Sequence, residues 1–195
     1  ATPIMSTVTT DATGKSTYQS INLSDKMPSN YYFYGSIGRK IKPLDMNLGL
    51  NLNFNGNSSY NYINQVLNKT QNYVYSAGID FNKYKEKKYS FYGNFGPSYN
   101  VTTASIQQSL NSNGWGLSGY LEGSVQLPAK FEITTDAQYQ YNGKTQAFNE
   151  NFERFLWNAA LNKKFFKSEN LKISVSGRDL LNQNVGFNRS AYNGN

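Results

Sequence analysis

The apolar and polar positions alternate along most of this chain with a period of two. The clearest run is Met46–Asn55, MNLGLNLNFN. Met46, Leu48, Leu50, Leu52 and Phe54 fall on one side of an extended chain, and Asn47, Gly49, Asn51, Asn53 and Asn55 on the other. Successive side chains of a strand point to opposite faces, so this run predicts one apolar and one polar face. Ten residues without a break is about the length that a tilted strand needs to cross a bilayer.

The same alternation predicts further strands. Ile4–Thr10 and residues 16–24 flank the turn cluster Asp11–Gly14, and Tyr31–Ile41 follows, with Arg39 interrupting its apolar side. Lys42–Asp45 reads as a turn, with Pro43 suited to its second position. After Met46–Asn55, the stretch Gly56–Thr70 reads as a long polar loop, and Gln71–Lys83 as the returning strand. Tyr89–Val101 repeats the pattern, and Pro97 predicts a bulge or local break there. Residues 107–114 form another polar loop before a strand from Trp115 to Leu127. Phe131–Tyr141, Arg154–Phe165 and a strand beginning at Leu171 complete the series, with a polar loop over 142–151 and another over 182–195.

The bends alternate in kind. Short ones centre near residues 43, 86, 129 and 168, and longer polar loops lie between them. Aromatic residues collect near both sets: Tyr84, Tyr89, Phe131 and Phe165 by the short turns, Tyr73, Tyr99, Trp115, Tyr141 and Phe155 by the long loops. Short turns on one edge, longer loops on the other and two aromatic belts describe an antiparallel transmembrane β-barrel of the outer-membrane type. The expected fold is therefore all-β, about ten strands, as an incomplete barrel segment with residues 1–195 as its single domain. A soluble sandwich would use shorter strands, and its polar positions would carry more charge than the Asn, Gln, Ser and Gly found here. Mean hydropathy is only −0.64, which fits a sheet that averages a lipid face with a wet one.

Composition narrows the chemistry. Cysteine and histidine are absent, which removes disulfides, thiolate metal sites and the commonest general base. Serines are plentiful, but no histidine can activate one. Asp80, Glu122, Glu132 and Asp136 fall on polar faces and read as solvated charges; Glu132 and Asp136 are too far apart on one strand to share a proton. We expect no enzyme, no cofactor and no metal. The net charge of +7 comes from lysines at the recurring bends, which reads as charge at strand ends and not as nucleic-acid binding. Gly116, Gly119 and Gly123 lie within a strand, so they do not form a phosphate loop. The sequons at Asn57, Asn68, Asn100 and Asn188 read as incidental.

Near the C-terminus, Leu161–Lys167 followed by LKISVSGRDLLNQN over residues 171–184 resembles the end of TonB-dependent receptors and their outer-membrane relatives. In that family a late strand finishes in a motif of the Asp179-Leu-Leu-Asn182 type. Ser20–Gly35, with Asn22-Leu-Ser before a short loop and Tyr34-Gly35 after it, resembles an outer loop of such barrels. The resemblance implies a wall segment of an outer-membrane transporter of a Gram-negative bacterium, taking up a nutrient. It implies as partners the outer-membrane lipid, a plug domain, the remaining strands of a barrel of around 22 strands and the TonB complex. The plug and the last strand are expected outside residues 1–195. Loop residues that would touch substrate are Tyr60, Tyr62, Asn64, Trp115, Tyr141 and Phe148. The alternative is a small pore, or a structural or adhesion barrel. A self-contained ten-strand pore would require Ile4–Thr10 to pair with Leu171–Leu180.

Overall fold

The computed structural model describes residues 3–184 apart from 24, 107, 109 and 110. The alternation folds into ten strands: β1 (Ile4–Thr10), β2 (Ser16–Asn22), β3 (Ser29–Ile41), β4 (Met46–Ile63), β5 (Val66–Lys85), β6 (Tyr89–Ala104), β7 (Ser112–Leu127), β8 (Phe131–Asn142), β9 (Phe152–Phe165) and β10 (Leu171–Gly177). No helix of the described residues is long and apolar enough to cross a membrane. The loop expected over 182–195 falls outside the described residues beyond Asn184, as does the sequon at Asn188.

From β3 to β10 each strand pairs antiparallel with the next, giving an open eight-strand wall. The register carries the alternation across the wall. Phe33, Phe54, Tyr75, Tyr99 and Trp115 stand opposite one another on five neighbouring strands, all on the apolar face. Leu50 stands between Ile37 and Ile79, and Leu121 between Gly93 and Ala137, on that same face. This face is not covered by protein. Leu52 is 49% exposed, Ile79 54% and Trp115 64%, and the buried hydrophobic residues are only Met5, Leu23, Ala104 and Phe152 among those described. A single sheet with an uncovered apolar face has no core of its own, so its burial must come from a hydrocarbon solvent.

The short turns form as the sequence predicts. Lys42–Leu44 makes one 3-10 turn, closed by Asp45 in the left-handed region at φ 44°. Pro128–Lys130 makes another, with Ala129 at φ 57°. Asp11 holds the β1–β2 turn, its Oδ1 accepting from Thr13 N at 2.8 Å and Lys15 N at 3.0 Å.

One expectation is corrected, and one condition of the alternative pore is not met. Gly56–Thr70 is not a loop. β4 and β5 pair without a gap from Asn47↔Asn82 to Ile63↔Val66, and the connection is only Asn64-Gln65, at φ 46° and 66°. Two consecutive left-handed residues match the primed turns that close tight hairpins. The polar stretch stays extended because its backbones pair and its amides form a ladder: Asn68 Nδ2 donates to Asn61 Oδ1 at 2.9 Å and Asn72 Nδ2 to Asn57 Oδ1 at 3.0 Å. Second, β1 does not pair with β10. It pairs with β2 and, in parallel, with the far end of β4 through Thr7↔Tyr62 and Val8↔Ile63. The sheet is consequently not closed, and the pairing that a self-contained ten-strand pore requires is not made.

Pro97 gives the local break without a bulge. Pairing of β5 with β6 skips from Ser76↔Ser98 to Ile79↔Phe95, while pairing of β6 with β7 runs through Pro97↔Leu117.

Candidate functional site

The polar face of the wall is where a solute could be met. On it, Asn82, Tyr92, Glu122, Asp136 and Asn158 stand opposite one another on β5 to β9. Two carboxylates are therefore direct cross-strand neighbours. Like charges in this position are unfavourable unless solvent or hydrogen bonds offset them. Here each has a neutral donor: Tyr120 Oη donates to Glu122 Oε2 at 2.6 Å, and Asn158 Nδ2 to Asp136 Oδ2 at 2.7 Å. Neither carboxylate has an ion-pair partner among the described residues.

A cleft of about 460 Å³ opens over this pair, walled by Tyr120, Glu122, Asp136, Asn158, Ser176 and Arg178. A second, of about 370 Å³, continues along the face past Asn94, Ser118, Gln138, Gln140 and Arg154. Arg154 is held there by donating to Gln140 Oε1 at 3.3 Å. The lining offers amides, hydroxyls, two anionic acceptors and two guanidinium donors. Such a set recognises polar, hydrogen-bonding solutes. Asp80 and Glu132 are tied elsewhere, Asp80 accepting from Asn51 Nδ2 at 2.8 Å and Glu132 from Gln126 Nε2 at 2.6 Å.

The Asp179–Asn182 motif is bound to this site. Asn158 Oδ1 accepts from Asp179 N at 2.9 Å, so one amide joins Asp136 to the turn that follows β10. The Asp179 carboxylate accepts from Gln183 N at 2.8 Å and Asn184 N at 3.0 Å, and Leu180 N donates to Trp157 O at 2.8 Å. The motif is a self-capped turn with its acid turned to its own backbone.

The six residues expected at loops are distributed differently. Tyr60 and Tyr62 lie on the extended β4–β5 hairpin, opposite Lys69 and Leu67. By parity they continue the apolar side of β4, and the Lys69 ammonium lies 6.0 Å from the Tyr60 ring centre. Asn64 is the turn residue, and it pins the β1–β2 hairpin: its N donates to Val8 O at 3.0 Å and its Oδ1 accepts from Thr10 N at 2.9 Å. Trp115 and Tyr141 stand on the apolar face of β7 and β8, opposite Tyr99 and Leu117. Phe148 lies in the loop after β8, exchanging backbone bonds with Thr145. Tyr60, Tyr62 and Asn64 share one hairpin and Trp115 and Tyr141 another; the pairings do not gather the six at one place.

The Glu122–Asp136 pair was not singled out from sequence as a pair, although the signal was there. Both lie seven residues from Ala129, the centre of the Pro128–Lys130 turn, so a tight hairpin must set them opposite.

Residues 53–195 match the model of the outer membrane protein beta-barrel family. No curated protein and no solved structure matches the chain.

Proposed function

The chain belongs to the outer membrane protein beta-barrel family and stands in the outer membrane of a Gram-negative bacterium; from this we propose that it is wall of a TonB-dependent transporter that takes up a polar nutrient, without a catalytic step. The observation that carries the reading is the polar face. It holds two clefts lined by amides, hydroxyls, two guanidinium groups and an acid pair that makes no ion pair among the described residues, on a wall whose other face is apolar and uncovered. A purely structural wall has no need of two opposed carboxylates, which a transported solute or a plug could neutralise. Its partners in this reading are outer-membrane lipid, a plug, further strands and the TonB complex.

The test is growth on single limiting nutrients. A strain lacking the gene should fail on the same nutrient as a strain lacking TonB, and the native protein should have an intact mass several times 22.0 kDa. Uptake that persists without TonB, with a steady conductance step in planar bilayers, would establish a passive pore instead.

A further inference from the structure

The chain carries a net charge of +7, and the fold collects it at one rim. The short turns after β3, β5, β7 and β9 all lie at one end of the antiparallel wall. Within segments 39–48, 81–90, 126–134 and 162–173 sit twelve of the 19 Lys and Arg residues but only four of the 12 Asp and Glu residues. The rim is therefore +8, and the rest of the chain is −1.

Part of this charge is structural. Lys40 pairs with Asp45 at 2.7 Å, and Glu169 holds Lys164 at 3.2 Å and Lys130 at 3.6 Å. Lys130 Nζ also donates to Phe166 O at 2.6 Å, and Lys163 Nζ donates to Ala129 O, so both tie neighbouring turns together. The turn after β5 is different. Lys85 and Lys88 make no ion pair among the described residues, and Lys87 reaches Glu86 only at 3.8 Å with its side chain 90% exposed. Beside them a cleft of about 590 Å³ opens towards the Pro128–Lys130 turn.

Depth decides the partner. Lys83 and Lys163 belong to the apolar face, opposite Phe91 and Phe131. Their ammonium groups lie 5.6 Å from the Tyr89 ring centre and 4.0 Å from that of Phe131. Lysines that lay their stems along an aromatic belt present their charge where hydrocarbon gives way to headgroups. A basic patch meant for an acidic protein would stand clear of the belt; this one is continuous with it.

We propose that the short-turn rim binds anionic phospholipid headgroups, with Lys85, Lys87 and Lys88 taking the phosphate at the cleft. This rests on the membrane placement alone and not on the transport reading. Each lysine near such a surface contributes about 1 kcal/mol, or roughly fivefold in binding.

The native protein carrying this chain, extracted in neutral detergent, is equilibrated with micelles doped with phosphatidylglycerol or with phosphatidylcholine. Retained lipid is counted by native mass spectrometry. Phosphatidylglycerol should be retained over phosphatidylcholine, and raising salt from about 0.05 to about 0.5 M should release it. K85Q/K87Q/K88Q should lose roughly fivefold per charge, while K85R/K87R/K88R keeps the preference. Equal retention of the two lipids by the wild-type protein overturns the proposal, whether or not the glutamine variant folds. So does a folded glutamine variant that retains phosphatidylglycerol unchanged, or loses only a co-purifying acidic protein. Displacement of the lipid by equimolar inorganic phosphate would mark a free-anion site instead and also overturn it.

Discussion

The Asn68 side chain is 2% exposed, and both ends of its amide are bonded. Nδ2 donates to Asn61 Oδ1 at 2.9 Å and Thr70 Oγ1 at 3.3 Å; Oδ1 accepts from Ser105 Oγ and Ile106 N, each at 3.2 Å. One side chain thus fastens the loop after β6 to the β4–β5 hairpin. An amide enclosed in this way leaves no room for a glycan at its sequon. Asn68→Ala strands several partners at once and should lower the unfolding free energy by about 2 kcal/mol in urea. Asn72→Ala, which loses one exposed bond to Asn57, should change it by under about 0.5 kcal/mol. Equal effects would mean that Asn68 is no anchor. The turn carboxylates set a pH dependence. A hydrogen bond from Lys40 holds the Asp45 carboxyl below its ordinary range, and one from Lys164 does the same for Glu169. A depressed carboxyl stabilises the fold fully above its unfolded value, about 3.9 for Asp and 4.3 for Glu, and loses that contribution as pH falls through the folded value. The urea midpoints of wild type and of D45N/E169Q should accordingly converge as pH drops from about 6 to about 3. Midpoints that diverge on acidification would reverse the sign and refute the assignment. Both pairs are exposed, so the separation at neutral pH should be small.

At the scale of strands, β5 leaves no room for a side chain on β6 where their ladder is interrupted. A Cβ added to Gly96 would overlap the Ala77 carbonyl oxygen and stand 2.7 Å from the Gly78 Cα. Backbone cannot yield as a side chain can, so Gly96→Ala should cost about 1–3 kcal/mol or block assembly. At Gly35 an added Cβ would meet only the edge of the Phe33 ring at 3.4 Å, and Gly35→Ala should be tolerated. Urea unfolding of the two variants separates close backbone approach from a general intolerance of alanine. Pro97 marked this place in the sequence, because a missing N–H cannot be hidden in a ladder. The strands were legible for the same kind of local reason: a lipid face and a wet face demand opposite residues at every second position. Where that demand stops, the pattern stops. Beyond Phe54 the apolar side itself turns polar at Gly56 and Ser58, so the stretch looks like loop although its backbone pairs as strand. The docking of β1 on the end of β4 rests on backbone pairing at Thr7 and Val8 and on Asn64, whose N donates to Val8 O and whose Oδ1 accepts from Thr10 N; a single asparagine at a turn does not mark such a contact in a sequence. The aromatics Trp115 and Tyr141 were assigned to substrate by their nearness to loops, but parity alone puts them on the apolar face.

For the whole molecule the question is where the membrane ends on this wall. β4 has 18 residues and β5 has 20, yet a tilted crossing uses about ten. The apolar side of β4 runs from Met46 to Phe54, and the next residues on it are Gly56 and Ser58. Phe54 belongs to the row of five aromatics that crosses β3 to β7, the feature expected at an interface. The remaining nine residues of β4, at about 3.3 Å each, would carry the hairpin on the order of 30 Å further along the strand direction, out of the hydrocarbon. This accounts for the amide ladder, which would be costly against lipid but is satisfied in water. Residues 1–195 hold no cysteine, so single cysteines placed in this wall make the boundary measurable one residue at a time. In liposomes, a membrane-impermeant maleimide should leave Leu50→Cys and Leu52→Cys unmodified and react with Asn51→Cys and Asn53→Cys, provided the polar face is open to solvent. Past Phe54 the alternation should vanish, with Ser58→Cys and Ser59→Cys reacting alike. Alternation that continues to Tyr62 would move the interface to the hairpin tip. The aromatic row would then lie inside the hydrocarbon, and Tyr60 and Tyr62 would be the belt.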